Sequence, residues 1–186
     1  MIVNQDYKKV DYTGKHLDSR EFENCTFTEC NFSNFNFSNF TFIECRFENC
    51  NLSNAKIAET GFKDVKFKNC KLLGLSFCDC SKFLLILDFD DCNLNLASFF
   101  KLKLKNIKFK KCTLQEVDFA GADLTNSLFE NCDLTRSIFD QTILEKADFR
   151  TSHNYSIDPV KNKMRKARFS MPGVLGLLAK FNIEIE

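Results

Sequence analysis

Several residue types that define other classes of protein are missing or scarce in this chain of 186 residues. It has no tryptophan, two prolines, six glycines and two histidines. So little proline and glycine argues against a low-complexity linker. No apolar run is as long as a membrane span, and the first residues lack the basic and apolar regions of a signal peptide. These absences predict a protein of the reducing cytoplasm that does not span a membrane.

Residues with catalytic potential are also sparse. His16 and His153 have no partner nearby in sequence, and we find no nucleophile–base pair, phosphate-binding loop or set of metal ligands. Cys78-Asp79-Cys80 is a weak metal signal, because no second pair stands at ligand spacing. We therefore predict that the chain is not an enzyme and that it binds no cofactor or metal.

Cysteine, by contrast, is abundant and regularly spaced. Six of the ten cysteines are separated by 20, 20, 22, 20 and 20 residues, namely Cys30, Cys50, Cys70, Cys92, Cys112 and Cys132. A fixed period of this length is typical of a solenoid, and the single interval of 22 predicts two extra residues after Cys70. Stacked corners would lie within disulfide range. Because the repeat explains the spacing and the compartment is reducing, we expect free core thiols instead.

Large apolar residues recur every five residues, from Tyr12 to Phe77 and again, two residues late, from Leu84 to Phe149. Neither a helix nor a strand has this period, but a coil with four sides of five residues does. Residues 20 apart should then stack, and one such set is phenylalanine at all seven levels from Phe27 to Phe149. About seven coils at ~4.8 Å each predict a rod roughly 35 Å long.

Short motifs carry a family resemblance. Ala-Asp-Leu at 122–124, Cys-Asp-Leu at 132–134 and Ala-Asp-Phe at 147–149 resemble the five-residue pattern of pentapeptide-repeat proteins. The resemblance covers about residues 10 to 151 and implies an all-β, right-handed quadrilateral β-helix. We expect an N-terminal cap at 1–11, the β-helix at 12–151, and a C-terminal cap and dimerisation segment at 152–186.

Residues 78–88 interrupt the repeat with five consecutive apolar residues, which cannot all point inward. If Leu84 is the inward centre, then Phe83, Leu85 and Ile86 project outward, with Phe100 at the next edge. An exposed cluster of this kind often marks a contact surface. The alternative is that the bulge folds over and buries these side chains.

Charge is distributed in bands along the chain. Residues 61–111 hold 11 basic and 5 acidic residues, whereas residues 112–150 hold 3 and 8. The lysines of segment 101–111 could contact phosphates. Without outward aromatic residues between them, a role in solubility is favoured and direct nucleic-acid binding is not expected. From the acidic residues we assign Asp88, Asp118, Asp123 and Asp133 to the candidate partner surface.

The last 35 residues leave the repeat. Ser170 can cap a helix that has Pro172 in its first turn. Residues 183–186 then alternate like a short edge strand. This tail is a cap over the last coil, or a cap that also pairs with its copy across a twofold axis. The dimerisation residues that we predict are Leu175, Leu178, Phe181, Ile183 and Ile185.

The tail carries a second resemblance. Asp158-Pro159 and the pattern Leu-x-x-Phe-x-Ile-x-Ile at 178–185 resemble the C-terminus of Qnr-type quinolone-resistance and microcin-immunity proteins. That resemblance implies a C-terminal homodimer that binds a type II topoisomerase, mainly DNA gyrase, and protects it from drugs or toxins, in part by imitating DNA. Duplex DNA carries a negative charge every ~1.7 Å, whereas this chain has a net charge of +1. The alternatives are a scaffold for another protein and, third, a nucleic-acid binder that uses its lysines.

Overall fold

The computed structural model describes residues 1–181 and 183–184 of the chain. Most of it is a parallel β-solenoid built from very short strands. The strands are β1 (Ile2–Val3), β2 (Asp6–Lys8), β3 (Glu21–Glu23), β4 (Thr26–Thr28), β5 (Thr41–Ile43), β6 (Arg46–Glu48), β7 (Gly61–Lys63), β8 (Val65–Lys68), β9 (Leu87–Asp90), β10 (Lys108–Lys110) and β11 (Leu128–Glu130).

The strands form two parallel sheets on two sides of the coil. One has the order β1-β3-β5-β7, and the other has the order β11-β10-β9-β8-β6-β4-β2. Partners are 20 residues apart except between β8 and β9, where Phe67 pairs with Phe89. The other two sides are held by single parallel bridges, such as Asn31 to Asn51 and Ser98 to Asp118. The four-sided β-helix and its two-residue interruption are therefore confirmed.

The core consists of four columns of stacked side chains, one column for each side of the coil. The phenylalanine set is continuous, with ring centroids 4.5 to 5.5 Å apart from one coil to the next. Tyr7 stacks beneath Phe27, and Phe169 stacks above Phe149. The stack therefore extends in sequence beyond both ends of the segment 12–151, which we expected to be the β-helix. Aromatic rings in this arrangement gain contact energy beyond the area that they bury.

The corners between sides have a recurrent backbone conformation. The residue two places after a buried centre has a positive φ in every regular coil, as at Asn34 (59°), Asn54 (56°) and Asn126 (60°), but not after Phe77 and Phe149, where the regular repeat ends. Asparagine is the commonest residue at these corners, because its short polar side chain makes the left-handed conformation less costly. The sequence period of five therefore reflects one buried centre and one left-handed corner on each side.

The residue two places before the centre points inward in most coils, and where it is Cys, Ser or Thr its side chain can bond to the coil below. The six evenly spaced cysteines line one corner and are at most 2% exposed, as predicted, and all ten cysteines are free thiols. Cys50 Sγ donates to the Phe27 carbonyl of the coil below at 3.2 Å. Ser152 Oγ makes the same contact with the Phe129 carbonyl at 2.8 Å. A small side chain with a donor is therefore suited to this corner.

The C-terminal segment is helical between Pro172 and Phe181. A short α-helix, α1 (Leu175–Leu178), lies between 3₁₀ turns at Pro172–Val174 and Ala179–Phe181. Ser170 Oγ accepts the Gly173 N–H at 3.2 Å, which agrees with the predicted cap. Ile183 and Glu184 are not in a strand. The rest of the predicted strand, Ile185 and Glu186, lies outside the described residues.

Candidate interaction site

The interruption forms a loop of residues 81–86 that departs from the regular coil. A 3₁₀ turn at Phe77–Asp79 precedes it, and β9 follows it. The Ser81 N–H bonds to the Thr60 carbonyl at 3.0 Å, and the Ile86 N–H bonds to the Phe62 carbonyl at 3.1 Å. Both ends of the loop are therefore fixed to the coil below. No strand of the sheet β1-β3-β5-β7 continues above this loop.

The loop exposes three apolar side chains, Phe83, Leu84 and Ile86, whereas the three that we predicted were Phe83, Leu85 and Ile86. Phe83 is 68% exposed and Ile86 is 55% exposed, as expected. Leu85 is half-buried and packs against the core, whereas Leu84 is exposed and has a φ of 56°. The predicted orientations of Leu84 and Leu85 were wrong, because the positive φ turns residue 84 outward and residue 85 inward.

Sequence spacing also misplaced Cys80, which we took to lie outside the repeat. It is 3% exposed, and the Ser81–Thr60 bond places it 20 residues above Thr60 at an inward corner. The two extra residues therefore follow Cys80. Burial raises the pKa of the Cys80 thiol to about 12, so this group stays a neutral thiol at physiological pH.

The exposed apolar side chains have a basic rim. Lys63 Nζ on β7 lies 5.3 Å from the centre of the Phe83 ring. Phe100, which is 40% exposed, lies on the next coil above, and Lys101 Nζ is 4.7 Å from its ring centre. Such cation–π contacts hold an aromatic ring in place while leaving one of its faces free. Phe83, Leu84 and Ile86 thus form an apolar patch on the loop with Lys63 at its edge, and Phe100 is exposed separately on the coil above, beside Lys101.

The predicted aspartates do not join this patch. Asp118, Asp123 and Asp133 lie on three different sides of the coil, each in its own set of parallel bridges. Asp88 faces outward on β9, beside Lys66 and Lys108 of the neighbouring strands. A single continuous acidic surface is therefore not formed by these four residues.

Two of the aspartates serve their own turns. Asp133 accepts hydrogen bonds from Gln115 Nε2 (2.7 Å), Thr135 Oγ1 (2.7 Å) and Asn154 Nδ2 (2.9 Å). Partial burial raises the pKa of Asp133, but these bonds outweigh it and hold the pKa well below its usual value. Asp123 is bonded to Thr125 in the same way. These carboxylates are thus already satisfied within the chain.

The C-terminal helical segment exposes a second apolar surface. Leu175, Phe181 and Ile183 are each more than half exposed, and Leu178 is half-buried. Ile185, the fifth predicted dimerisation residue, lies outside the described residues. We call Leu175, Leu178, Phe181 and Ile183 the C-terminal seam.

Tyr155 and two glycines hold this segment on the last coil. The Ile157 N–H bonds to the Gly176 carbonyl at 3.0 Å. A Cβ at Gly173 would lie 1.9 Å from Tyr155 Oη, and one at Gly176 would lie 2.2 Å from the Tyr155 carbonyl oxygen. Lys180 also pairs with Asp158. Since any larger side chain at either glycine would push the helix away, the backbone itself packs on Tyr155.

Sequence reasoning missed other exposed apolar side chains, notably Leu96 (56%), Ile138 (50%) and Val160 (80%). For Leu96 a signal was present, because it stands at a corner where other coils have Asn34 or Asn54. A large residue at a left-handed corner points away from the core.

Other kinds of site find no support in the part of the chain that the structure describes. It contains no group of three histidine, cysteine or acidic side chains that could hold a metal ion. No helix there is long and apolar enough to cross a membrane. The exposed apolar side chains of the loop and of the C-terminal seam are of the kind that form contacts with other molecules.

The fold is similar to that of solved proteins of low sequence identity. A trypsin-treated form of QnrB1, described as a plasmid-mediated fluoroquinolone resistance protein, has a TM-score of 0.62 at 17% identity, over 100% of this chain and 98% of that one. HetL of the cyanobacterium Nostoc sp. strain PCC 7120, described as involved in heterocyst differentiation regulation, has a TM-score of 0.49 at 13% identity, over 91% and 87%. At such identities the likeness to QnrB1 shows the fold. No curated protein matches the sequence.

Family models agree with the repeat. A model described as a pentapeptide repeat region matches residues 15–82 and 40–119, and one described as pentapeptide repeats (8 copies) matches residues 112–150. The two overlapping matches run without a gap through more than half of the sequence. Together with the four-sided coil, they show that the chain belongs to the pentapeptide-repeat family.

Proposed function

We propose that this chain is a non-enzymatic protection factor for a type II topoisomerase, in the first place DNA gyrase, which it binds as a homodimer in the cytoplasm. The observation that carries the proposal is the apolar patch of three exposed side chains, Phe83, Leu84 and Ile86, within one loop. Exposed apolar side chains with a charged rim are typical of surfaces that bind another protein. The regular coils offer no comparable cluster with its own loop.

Two likenesses support the identity of the partner. The coil has the same overall fold as QnrB1 along its whole length, and QnrB1 is described as a fluoroquinolone resistance protein. The C-terminal pattern at 178–185 resembles the Qnr-type tail. Resistance to a drug that acts on gyrase, or immunity to a toxin that does, is the biological role that these likenesses favour.

The contact that we propose is apolar rather than an imitation of DNA charge. Asp118, Asp123 and Asp133 face three different directions, and the charged group that contacts the Phe83 ring is the ammonium of Lys63. A duplex mimic would need a dense row of negative charge along one side. The loop is therefore the part of this chain that we expect to contact the enzyme.

The homodimer in this proposal is joined at the C-terminal seam. Leu175, Phe181 and Ile183 expose apolar surface at the end of the rod, and a twofold axis there would bury the same surface on both copies. Replacing Leu175 and Phe181 with glutamate should give a monomer by light scattering. A dimeric mass for that variant would remove the seam from the proposal.

Gyrase supercoiling in the presence of a quinolone or a microcin tests the function. The unmodified protein should restore supercoiling. A variant with Phe83→Ser, Leu84→Ser and Ile86→Ser should lose this effect while keeping its melting temperature. Leu96→Ser with Ile138→Ser is the matched control, because those residues are similarly exposed but lie elsewhere. If the unmodified protein neither binds nor protects gyrase, the proposal is wrong.

A second candidate is a scaffold for an unrelated protein partner. The net charge of +1 and the dispersed aspartates favour it, since both differ from what imitation of DNA requires. The basic rim around Phe83 suits an acidic partner surface. A pull-down with the immobilised chain that returns one protein, without gyrase, and that loses it with the triple serine variant would support this alternative.

A further inference from the structure

The outer surface of the seven-stranded sheet carries charged side chains that the proposed function does not use. Each strand contributes the residue before and the residue after its buried aromatic centre, so two columns run along the rod. We call these two columns, from β6 to the coil above β11, the charged face. Between them lies a groove of about 320 Å³ whose lining includes Phe67 and Phe89.

Charge on this face alternates from strand to strand. At the three central levels both columns have the same sign, with Lys66 and Lys68 on β8, Asp88 and Asp90 on β9, and Lys108 and Lys110 on β10. Arg46 and Glu48 lie below them on β6. Above them are Leu128 and Glu130 on β11, and then Asp148, which bridges to Leu128, and Arg150.

The charges of the central levels are not used within the chain. Among residues 1–181 and 183–184, no ion pair includes a side chain of β6, β8, β9 or β10. Two levels above β10, by contrast, Arg150 Nη2 is 2.8 Å from Asp148 Oδ2. The central side chains are therefore free to meet opposite charges on another molecule.

The pattern of charges on the charged face is complementary to the same pattern on a second copy of the chain. Consider a second copy laid on the charged face, with its strands running in the same direction and its rod axis reversed. If the twofold axis passes between β9 and β10, Asp88 faces Lys108 of the second copy and Asp90 faces its Lys110. Lys68 then faces Glu130 of that copy.

The complementarity continues outward from the axis. Arg46 faces Asp148 of the second copy, and Glu48 faces its Arg150. Only Lys66, which faces Leu128, meets no opposite charge. Within the charged face, every other charged side chain faces one of opposite sign, and each pairing occurs twice because the interface is isologous. The outermost pairings are the weakest, because Asp148 and Arg150 already pair with each other within the chain.

Other placements of the second copy bring like charges together. A copy with its rod axis in the same direction would set Lys66 against Lys68 and Asp88 against Asp90, which is destabilising. Moving the axis down by one strand would still set Lys66 against Asp88 and Lys68 against Asp90, but it would also set Arg46 against Lys108. The charge pattern therefore favours the register with the axis between β9 and β10, because that register brings no like charges together.

We propose that the charged face is a self-association surface on which two copies pack side by side with antiparallel rods. A long lysine opposite a short aspartate also suits the uniform separation of about 10 Å between packed sheets. Six levels of ~4.8 Å give a strip of ~29 Å, two side chains wide. This buries far less than the roughly 800 Å² per partner of a stable interface. The association is weak, concentration-dependent and sensitive to salt.

Two variants test this proposal, each in a chain that also carries Leu175→Glu and Phe181→Glu so that the C-terminal seam does not contribute. Asp88→Lys with Asp90→Lys makes the centre of the face positive, and Lys108→Asp with Lys110→Asp makes it negative. Each variant alone should be a monomer in sedimentation velocity. An equal mixture should associate about tenfold or more tightly than either variant alone at about 50 mM salt, and separate at about 500 mM.

A control separates specific pairing from attraction between net charges. Lys56→Asp with Lys71→Asp changes the net charge as much as the negative variant does, but on two other sides of the coil. It should associate with the positive variant far less than the negative variant does. Equal association with the control, or a mixture that stays monomeric although both variants melt like the unmodified chain, would overturn the proposal. Neither result bears on gyrase binding.

Discussion

Large apolar side chains are buried in the regular coils, but several of them are exposed in the interrupted coil. Phe62 below the loop and Leu104 above it are at most 4% exposed, whereas Phe83 between them is 68% exposed. Hydrophobicity does not separate these residues. A side of five residues has room for one large inward side chain, so additional apolar residues must leave the stack. Register, and not residue type, decides burial in this protein.

Replacing phenylalanine inside and outside the stack should give the largest difference. Phe89→Ala removes a ring that is 1% exposed and stacked between Phe67 and Phe109, which should cost about 3–5 kcal/mol of unfolding free energy. Phe83→Ala should cost less than about 0.5 kcal/mol. Urea denaturation of both variants measures this. Similar losses would mean that the loop ring is part of the core.

Two buried serines at inward corners should respond in opposite directions. Ser152 Oγ donates to the Phe129 carbonyl and accepts the Cys132 N–H at 3.1 Å, so Ser152→Ala should cost about 1–3 kcal/mol. Ser127 Oγ is buried without a partner. Ser127→Ala should therefore stabilise the fold by about 1 kcal/mol. Thermal unfolding compares the two, with Ser152→Cys as the control that keeps a donor.

Corner residues offer a finer comparison between coil and loop. Leu96 has a φ of 62° in a regular coil, and Leu84 has a φ of 56° in the loop. Because asparagine tolerates this conformation better, Leu96→Asn should add roughly 1 kcal/mol to the free energy of unfolding. Leu84→Asn should add no more than that. The reverse change, Asn54→Leu, is the control and should destabilise; a neutral result there would refute this account of the corners.

The smallest effect should come from the carboxylates of the regular turns. The pKa of Asp133 is lowered in the folded state, so its stabilising contribution is full above the unfolded pKa of about 3.9. That contribution is lost as pH falls below this value towards the folded pKa. Asp133→Asn should therefore be less stable than the unmodified chain at pH 7, and the gap should narrow near pH 2 in urea denaturation. A constant gap would argue against a charged role.

The sequence predicted the regular coils because each feature repeats. Twenty-residue spacing placed the six cysteines at one corner, and the buried phenylalanines from Phe27 to Phe149 were all assigned to one side. A repeated sequence allows the assigned register to be checked, because an error in register would mix residue types at every level of the stack. The same reasoning failed for Leu84, Leu85 and Cys80, which lie where the repeat is broken once and no second copy of the break exists.

The prediction of the site residues also depended on whether the repeat spacing had been used to choose them. Phe83 and Ile86 are exposed on the loop as expected, because the interruption itself was visible in the spacing. The aspartates were chosen by charge and by position along the chain. Four sides share each coil, so residues only five apart in sequence, such as Asp118 and Asp123, face different directions.

By itself the sequence determined the coil, its four sides, its core and the coil that contains two extra residues, because a strict period admits one stacking scheme. Only the tertiary structure decided which loop residues face solvent, since a left-handed φ at Leu84 cannot be read from an unrepeated segment. The tertiary structure also placed Lys66, Asp88 and Lys108 in one column. Such alignment depends on the register of residues 20 or 22 apart, and surface charges do not have to follow the period that fixes the core.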